Sequence, residues 1–97
     1  MKNFRTYELA KTFYKNTQKI KLTGPTKNQF ERATLSIVLS MAEGSAKPTR
    51  KDRRKFYRIA LRSLRESQCI LSLLEYKTLE HEADKLGAHL YRLCQNT

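Results

Sequence analysis

The chain has 97 residues, the length of a single domain, and with three Gly, two Pro and no Trp its composition favours helix. Twenty Lys and Arg against nine Asp and Glu give a net charge of +11, which makes a polyanion the expected partner. The longest uncharged run, residues 33–42, is too short to span a bilayer, and Met1 leads into polar sequence without a signal peptide. We therefore expect one all-α domain over residues 1–97, located in the cytoplasm, with no membrane partner.

The first predicted helix covers residues 6–22 and ends at Gly24-Pro25, a pair that interrupts helices. Its apolar positions recur every three or four residues, as on a buried helix face. They are Tyr7, Ala10, Phe13, Tyr14, Thr17 and Ile20. Three lysines follow one another at intervals of four on another face, and like charges at that spacing repel weakly. The ridge Lys11, Lys15 and Lys19 is therefore a candidate binding surface and not a source of helix stability.

The second predicted helix covers residues 26–43, with Gly44 as its C-terminal cap. Apolar side chains point in every direction around it, which predicts a helix buried on every side. Three neighbours of this size do not wrap a helix completely, so we expect another subunit to cover it. The alternative is a central helix with some exposed apolar surface. The expected interface residues are Leu35, Val38 and Leu39, together with Tyr57 and Leu61 of the next helix.

The third predicted helix covers residues 50–75. Thr49 followed by Asp52 matches a capping box at its start. Its expected apolar seam consists of Phe56, Ala60, Ser63, Ser67, Ile70 and Leu74, widened by Leu64 and Leu71 and extended toward a second face by Tyr57 and Leu61. The fourth predicted helix covers residues 79–94, with Thr78 as its cap and an apolar seam at Leu79, Ala83, Leu86, Leu90 and Leu93. Because the connections are short, the four helices are expected to form an up-down-up-down bundle.

The positive charge is concentrated in two segments. Residues 1–24 carry +5 and residues 44–62 carry +7, while the rest of the chain sums to −1. Basic side chains fall within an arc of about 100° on the third helix, opposite its seam. Several of them crowd the helix N-terminus, where cations oppose the helix dipole, so we interpret the cluster as a binding surface. The alternative is a solvated face that only keeps the protein soluble.

The candidate nucleic-acid-binding residues come from both basic segments, and the lysines of the first helix are expected to extend the basic face of the third. They are Lys11, Lys15, Lys19, Lys47, Arg50, Lys51, Arg53, Arg54, Lys55, Arg58 and Arg62. Tyr57 has the chemistry to stack on a base, but we expect it to lie in the core or at a subunit interface.

No catalytic, metal-binding or cofactor-binding motif is present in the sequence. His81 and His89 do not have a metal-ligand spacing, and the two thiols, Cys69 and Cys94, are expected to stay reduced. Carboxylates beside apolar faces are expected to form structural ion pairs. We therefore expect no cofactor, no metal and no enzymatic activity.

Three segments resemble one known family. They are QFERATLSIVLSMAEG at residues 29–44, FYRIALRSLRES at 56–67 and LGAHLYRL at 86–93. The chain resembles, over about residues 4–94, the bacterial four-helix-bundle proteins first noticed in intervening sequences of large-subunit ribosomal RNA genes. Many members carry Pro where this chain has Val38 and Asn where it has Ser40.

The resemblance implies an assembly and a partner. The same bundle is used by accessory variability proteins of diversity-generating retroelements, which are small, basic, pentameric barrels that bind nucleic acid and a reverse transcriptase. The resemblance therefore implies a homopentamer that binds RNA or DNA and assists a reverse transcriptase or a structured RNA. The alternative function is a protein-interaction adaptor that docks an acidic or nucleic-acid-bound partner.

Overall fold

Four α-helices account for most of residues 3–97, the part of the chain that the computed structural model describes. They are α1 (Phe4–Thr17), α2 (Gly24–Ala46), α3 (Arg50–Leu73) and α4 (Lys77–Asn96). The connections contain six, three and three residues. Connections this short make consecutive helices antiparallel, so the predicted up-down four-helix bundle is confirmed.

The helices are arranged as a square in which each packs against two neighbours. The packed pairs are α1–α2, α2–α3, α3–α4 and α1–α4, and α2–α3 is the most extensive of them. No Cα atom of α1 lies within 8 Å of one in α3, so these two helices occupy a diagonal of the square. The outward faces of α1 and α3 consequently point in opposite directions.

Apolar side chains from all four helices meet in the centre of the square. The core consists of Ala10, Phe13, Phe30, Ala33, Ile37, Met41, Tyr57, Ala60, Leu64, Leu71, Leu79, Ala83, Leu86 and Leu90. The predicted seam of α4 is buried at all positions but Leu93, and that of α1 is buried at Ala10, Phe13 and Thr17 and half-buried at its other positions. In α3 the buried residues all belong to the predicted seam or to its predicted extensions; they are Tyr57, Ala60, Leu64, Ser67 and Leu71. The predicted Ser63 instead points toward α2, where its hydroxyl donates a hydrogen bond to that of Ser36 at 2.9 Å.

Tyr57 lies wholly inside one subunit. Its side chain is fully buried, and its hydroxyl accepts a hydrogen bond from the side-chain amide of Asn3 at 3.0 Å. The prediction that Tyr57 contributes to a subunit interface is therefore wrong, because the aromatic ring fills the bundle core. The same burial removes it as a residue that could stack on a base.

The outward face of α2 remains uncovered within one subunit. Leu35 and Leu39, one turn apart, are 42% and 54% exposed, and Val38 is half-buried beside them. Leu61 of α3, the other expected interface residue, is also half-buried. Within a single subunit, α2 thus keeps exposed apolar surface. This is the surface that we expect another subunit to cover.

Three predicted helix boundaries are wrong. Gly24-Pro25 does not end α1 but begins α2, with Gly24 at a positive φ of 65° and the proline in the first turn. Gly44 does not cap α2, which continues to Ala46. Thr78 is not the cap of α4, because the helix already starts at Lys77 after a tight turn in which Glu75 has a φ of 60°.

Gly44 is instead required by close helix packing. A Cβ atom at this position would come within 2.8 Å of Cε1 of Tyr57 and 3.0 Å of Cβ of Phe56. At Gly87 of α4, the nearest atom to an added Cβ would be the mobile Nη1 of Arg65 at 3.3 Å. The absence of a side chain at Gly44 therefore sets how closely α2 approaches α3.

We predict opposite effects of the same substitution at these two glycines. Gly44→Ala should destabilise the fold by about 1–2 kcal/mol, because the clash with the Tyr57 ring outweighs the gain in helix propensity. Gly87→Ala should be neutral or stabilising, because the Arg65 side chain can move. Urea unfolding followed by circular dichroism measures both variants, and equal effects would contradict this account of Gly44.

Candidate nucleic-acid interface

Five basic side chains line one shallow depression on the outer surface of α3. They are Lys51, Arg54, Lys55, Arg58 and Arg62, and the depression also contains Asp52 and Ile59. None of the five makes a side-chain hydrogen bond or an ion pair within residues 3–97. We refer to these five residues as the α3 stripe. The five cations outnumber the single carboxylate of the depression, and none of them is paired within the part of the chain that the structure describes.

The position of the α3 stripe follows from how α3 starts and packs. The hydroxyl of Thr49 accepts a hydrogen bond from the backbone N–H of Asp52 at 3.2 Å, as the capping sequence predicts. Tyr57, Ala60 and Leu64 then face the core. Because α3 packs only against α2 and α4, the side opposite this core face is uncovered. The stripe occupies that side over the first half of the helix.

Two further candidate cations, Lys47 and Arg53, lie near the turn between α2 and α3 and have structural contacts. The Nζ atom of Lys47 lies 3.7 Å from Oε2 of Glu43 and 5.1 Å from the centroid of the Phe56 ring. The guanidinium of Arg53 donates hydrogen bonds to the carbonyls of Lys47 and Pro48 at 3.1 and 2.9 Å. Arg53 therefore ties the turn that follows α2 to the first turn of α3.

Arg50 lies with Arg53 at the end of the bundle. The two arginines line a small polar hollow with Asn3, Asn96 and Thr97. This hollow is separate from the depression that contains the α3 stripe, because the two share no lining residue. Arg50 and Arg53 thus extend the basic surface around the helix start without belonging to the stripe.

The lysines of α1 lie on the other side of the bundle. Lys15 follows Phe13 by two residues, about 200° around the helix, and therefore faces away from the core and from α3. Lys11 forms an ion pair with Glu8 at 3.3 Å and lies over the Tyr7 ring, and Lys19 lies beyond the end of α1. The expectation that these lysines extend the α3 stripe is wrong within one subunit, because α1 and α3 are diagonal. They form a second basic surface.

The edge of α4 borders the α3 stripe. The Arg65 guanidinium donates to Oε1 of Gln68 at 3.1 Å, and the Gln68 amide donates to Oδ1 of Asp84 at 2.9 Å. Near the end of α4, burial raises the pKa of the Cys94 thiol, and the positive charge of Arg58 partly opposes that rise. The C-terminal half of α4 therefore runs beside the stripe. The sequence did not reveal this border, because the register of two helices is not visible in either one alone.

His89 of α4 is a further titratable group with a shifted pKa. Desolvation lowers the pKa of His89, and the nearby charges of Arg5, Arg92 and Lys85 lower it further. Within residues 3–97, no three His, Cys, Asp or Glu side chains converge on a point that could hold a metal ion. Over the same residues, no helix combines the length and the apolar character needed to cross a membrane.

Comparison with known proteins gives one result. The family model described as 23S rRNA-intervening sequence protein matches residues 3–96, almost the whole chain. No similar curated protein and no similar solved structure was found.

We predict different reactivities for the two free thiols. Cys69 is exposed and Cys94 is half-buried with a raised pKa, so Cys94 should react with a disulfide reagent about tenfold more slowly than Cys69 near pH 8. Single-thiol variants made by Cys69→Ser and Cys94→Ser separate the two rates. Arg58→Gln should slow Cys94 further, because it removes the charge that favours the thiolate. Equal rates, or no acceleration of Cys94 by Arg58, would contradict the position of α4 beside the stripe.

Proposed function

The chain belongs to the 23S rRNA-intervening sequence protein family, and we propose that it is a non-enzymatic protein that binds RNA or DNA through the α3 stripe. The observation that carries this proposal is the set of five cations without partners on one exposed face. Several of them lie in the first turns of α3, where the helix dipole disfavours positive charge. A bound polyanion would reduce the mutual repulsion of the five cations, and its negative charge would interact favourably with the N-terminal end of the helix dipole.

Recognition of the phosphate backbone fits this surface best. From Lys51 to Arg62 the stripe extends about 16 Å along the helix, enough to meet several consecutive phosphates of one strand. Phosphate contacts position a protein on nucleic acid but carry no sequence information. We therefore propose binding without strong sequence preference, and with an affinity that falls steeply as salt is added.

We further propose that the protein acts as a closed homo-oligomer. The support is the exposed apolar pair Leu35 and Leu39 on the outer face of α2. The number of subunits, five, rests on the resemblance to the accessory proteins of diversity-generating retroelements. A closed ring would repeat the α3 stripe around the assembly, and simultaneous contacts would raise the overall affinity without any new chemistry.

A protein partner is the second candidate, and one feature favours it. Pro25, Ile70, Leu73 and Leu74 line an apolar hollow between the start of α2 and the end of α3, and the Leu73 side chain is largely exposed. Such a surface suits an adaptor, or the docking of a reverse transcriptase on a nucleic-acid-bound assembly. Salt separates the two functions, because apolar docking should respond little to salt whereas phosphate binding should weaken strongly.

Charge reversal on the α3 stripe tests the main proposal. The triple variant Arg54→Glu, Arg58→Glu, Arg62→Glu should lose binding to labelled RNA and DNA in fluorescence anisotropy, because each change replaces a phosphate contact by repulsion. Circular dichroism and sedimentation should show unchanged helicity and oligomer size, since Arg58 and Arg62 are exposed and Arg54 is only half-buried. Undiminished binding by this variant would overturn the proposal.

The matched control reverses three lysines on the far side of the bundle. Lys15→Glu, Lys19→Glu and Lys21→Glu change the net charge by the same amount but leave the α3 stripe intact. This variant should lose less than about tenfold in affinity, the general effect of lower net charge. If both triple variants lose binding equally, net charge and not the α3 stripe governs the interaction.

A substitution on α2 tests the assembly. Leu39→Glu should leave the subunit folded, because the Leu39 side chain is 54% exposed, and should reduce the oligomer to monomers by placing a charge in its interface. Multi-angle light scattering measures the mass, and Thr12→Glu on the outer face of α1 is the control. A parent protein that is monomeric at micromolar concentration, or an unchanged mass of the Leu39→Glu variant, would contradict the proposal.

A further inference from the structure

Tyr91 is a large exposed aromatic side chain at the border of the α3 stripe. It is 53% exposed, and its hydroxyl has no hydrogen-bond partner within residues 3–97. Four of the five tyrosines, in contrast, are buried or half-buried. An aromatic side chain with about half of its surface in water needs an explanation, and its neighbours offer one.

The register of α4 on α3 fixes the level of Tyr91. The Gln68 amide donates to Asp84 at 2.9 Å, so these two residues face each other across the α3–α4 edge. Tyr91 follows Asp84 by seven residues, and Leu61 precedes Gln68 by seven, which is two turns in each helix. Since the helices are antiparallel, Tyr91 lies on the same edge as Asp84, at the level of Leu61.

Two other observations support the same register. The Nη1 atom of Arg65 lies 3.3 Å from where a Cβ of Gly87 would be, and the charge of Arg58 acts on the Cys94 thiol. Tyr91 is halfway between Gly87 and Cys94 along α4. It therefore lies between Arg58 and Arg65, with the first of these belonging to the stripe.

We propose that Tyr91 stacks on an unpaired base while the α3 stripe holds the adjoining phosphates, so that the site prefers single-stranded RNA or DNA to duplex. A positively charged groove beside an accessible aromatic ring is the arrangement by which proteins hold single strands. The bases of a duplex are already stacked on one another and cannot reach the ring. This inference rests on the proposed function, because stacking alone would not hold the strand.

The test compares a single strand with a duplex. The probes are a labelled unstructured 15-nucleotide RNA and a labelled blunt 15-base-pair RNA of mixed sequence. Tyr91→Leu should weaken binding of the single strand about tenfold and of the duplex less than twofold, whereas Tyr91→Phe should preserve both. The control is Phe4→Leu, which removes an aromatic side chain that is 62% exposed on α1, away from the stripe. It should change neither affinity.

A spectroscopic variant reports on stacking directly. The sequence contains no Trp, so Tyr91→Trp provides a single indole at this position. Its fluorescence should be quenched by the single-stranded RNA and not by the duplex. Absence of quenching with the single strand at saturation would overturn the inference.

The outcomes separate this inference from the proposed function. If the α3 triple variant keeps its affinity for RNA, the proposed function fails and the stacking role fails with it. A second outcome is that the α3 triple variant loses binding, but Tyr91→Leu weakens the binding of single strand and duplex equally or leaves both unchanged. In that case only the stacking role fails. A changed oligomer mass of Tyr91→Leu would place the ring in a subunit interface and would also overturn the inference.

Discussion

The close approach of α2 to α3 is the constraint on which the rest of the structure depends. It requires a residue without a side chain at Gly44, because the Tyr57 ring occupies the space that a Cβ would need. The ring is held in turn by burial and by its hydrogen bond with Asn3. With the ring of Tyr57 fixed in the core, the rotation of α3 about its axis is fixed as well. The basic face of α3 must then point outward.

The square arrangement then separates two basic surfaces that the sequence seemed to join. Each helix packs against two others, so α1 and α3 face away from one another across the core. The lysines of α1 and the stripe of α3 carry the same sign of charge, and their placement on opposite sides keeps them apart. Like charges repel less at larger separation, particularly beyond a Debye length of about 8–10 Å. A single subunit can therefore concentrate cations on α3 without the additional repulsion that the α1 lysines would cause on the same side.

Some features of the fold were predictable because they depend on local chemistry. Thr49 and Asp52 predicted the start of α3, and the hydroxyl-to-backbone hydrogen bond is present. The apolar residues of α1 and α4, such as Phe13 and Leu86, are buried as their spacing predicts. The roles of the glycines were not predictable in this way, because they depend on their surroundings in the fold. Gly24 begins a helix and Gly44 allows close packing, although the sequence pattern predicts a helix end at both.

The sequence alone determined that the chain forms four amphipathic helices, that they alternate in direction, and that α3 carries a basic face. These properties follow from side-chain periodicity, capping and connection length, all of which are local along the chain. Only the tertiary structure decided that Tyr57 lies in the core, that the α1 lysines are remote from the α3 stripe, and that Tyr91 borders that stripe. Those facts depend on which helices are neighbours and on their register. Both are set by the packing of side chains distant in sequence, such as Gln68 against Asp84 and Gly44 against Tyr57.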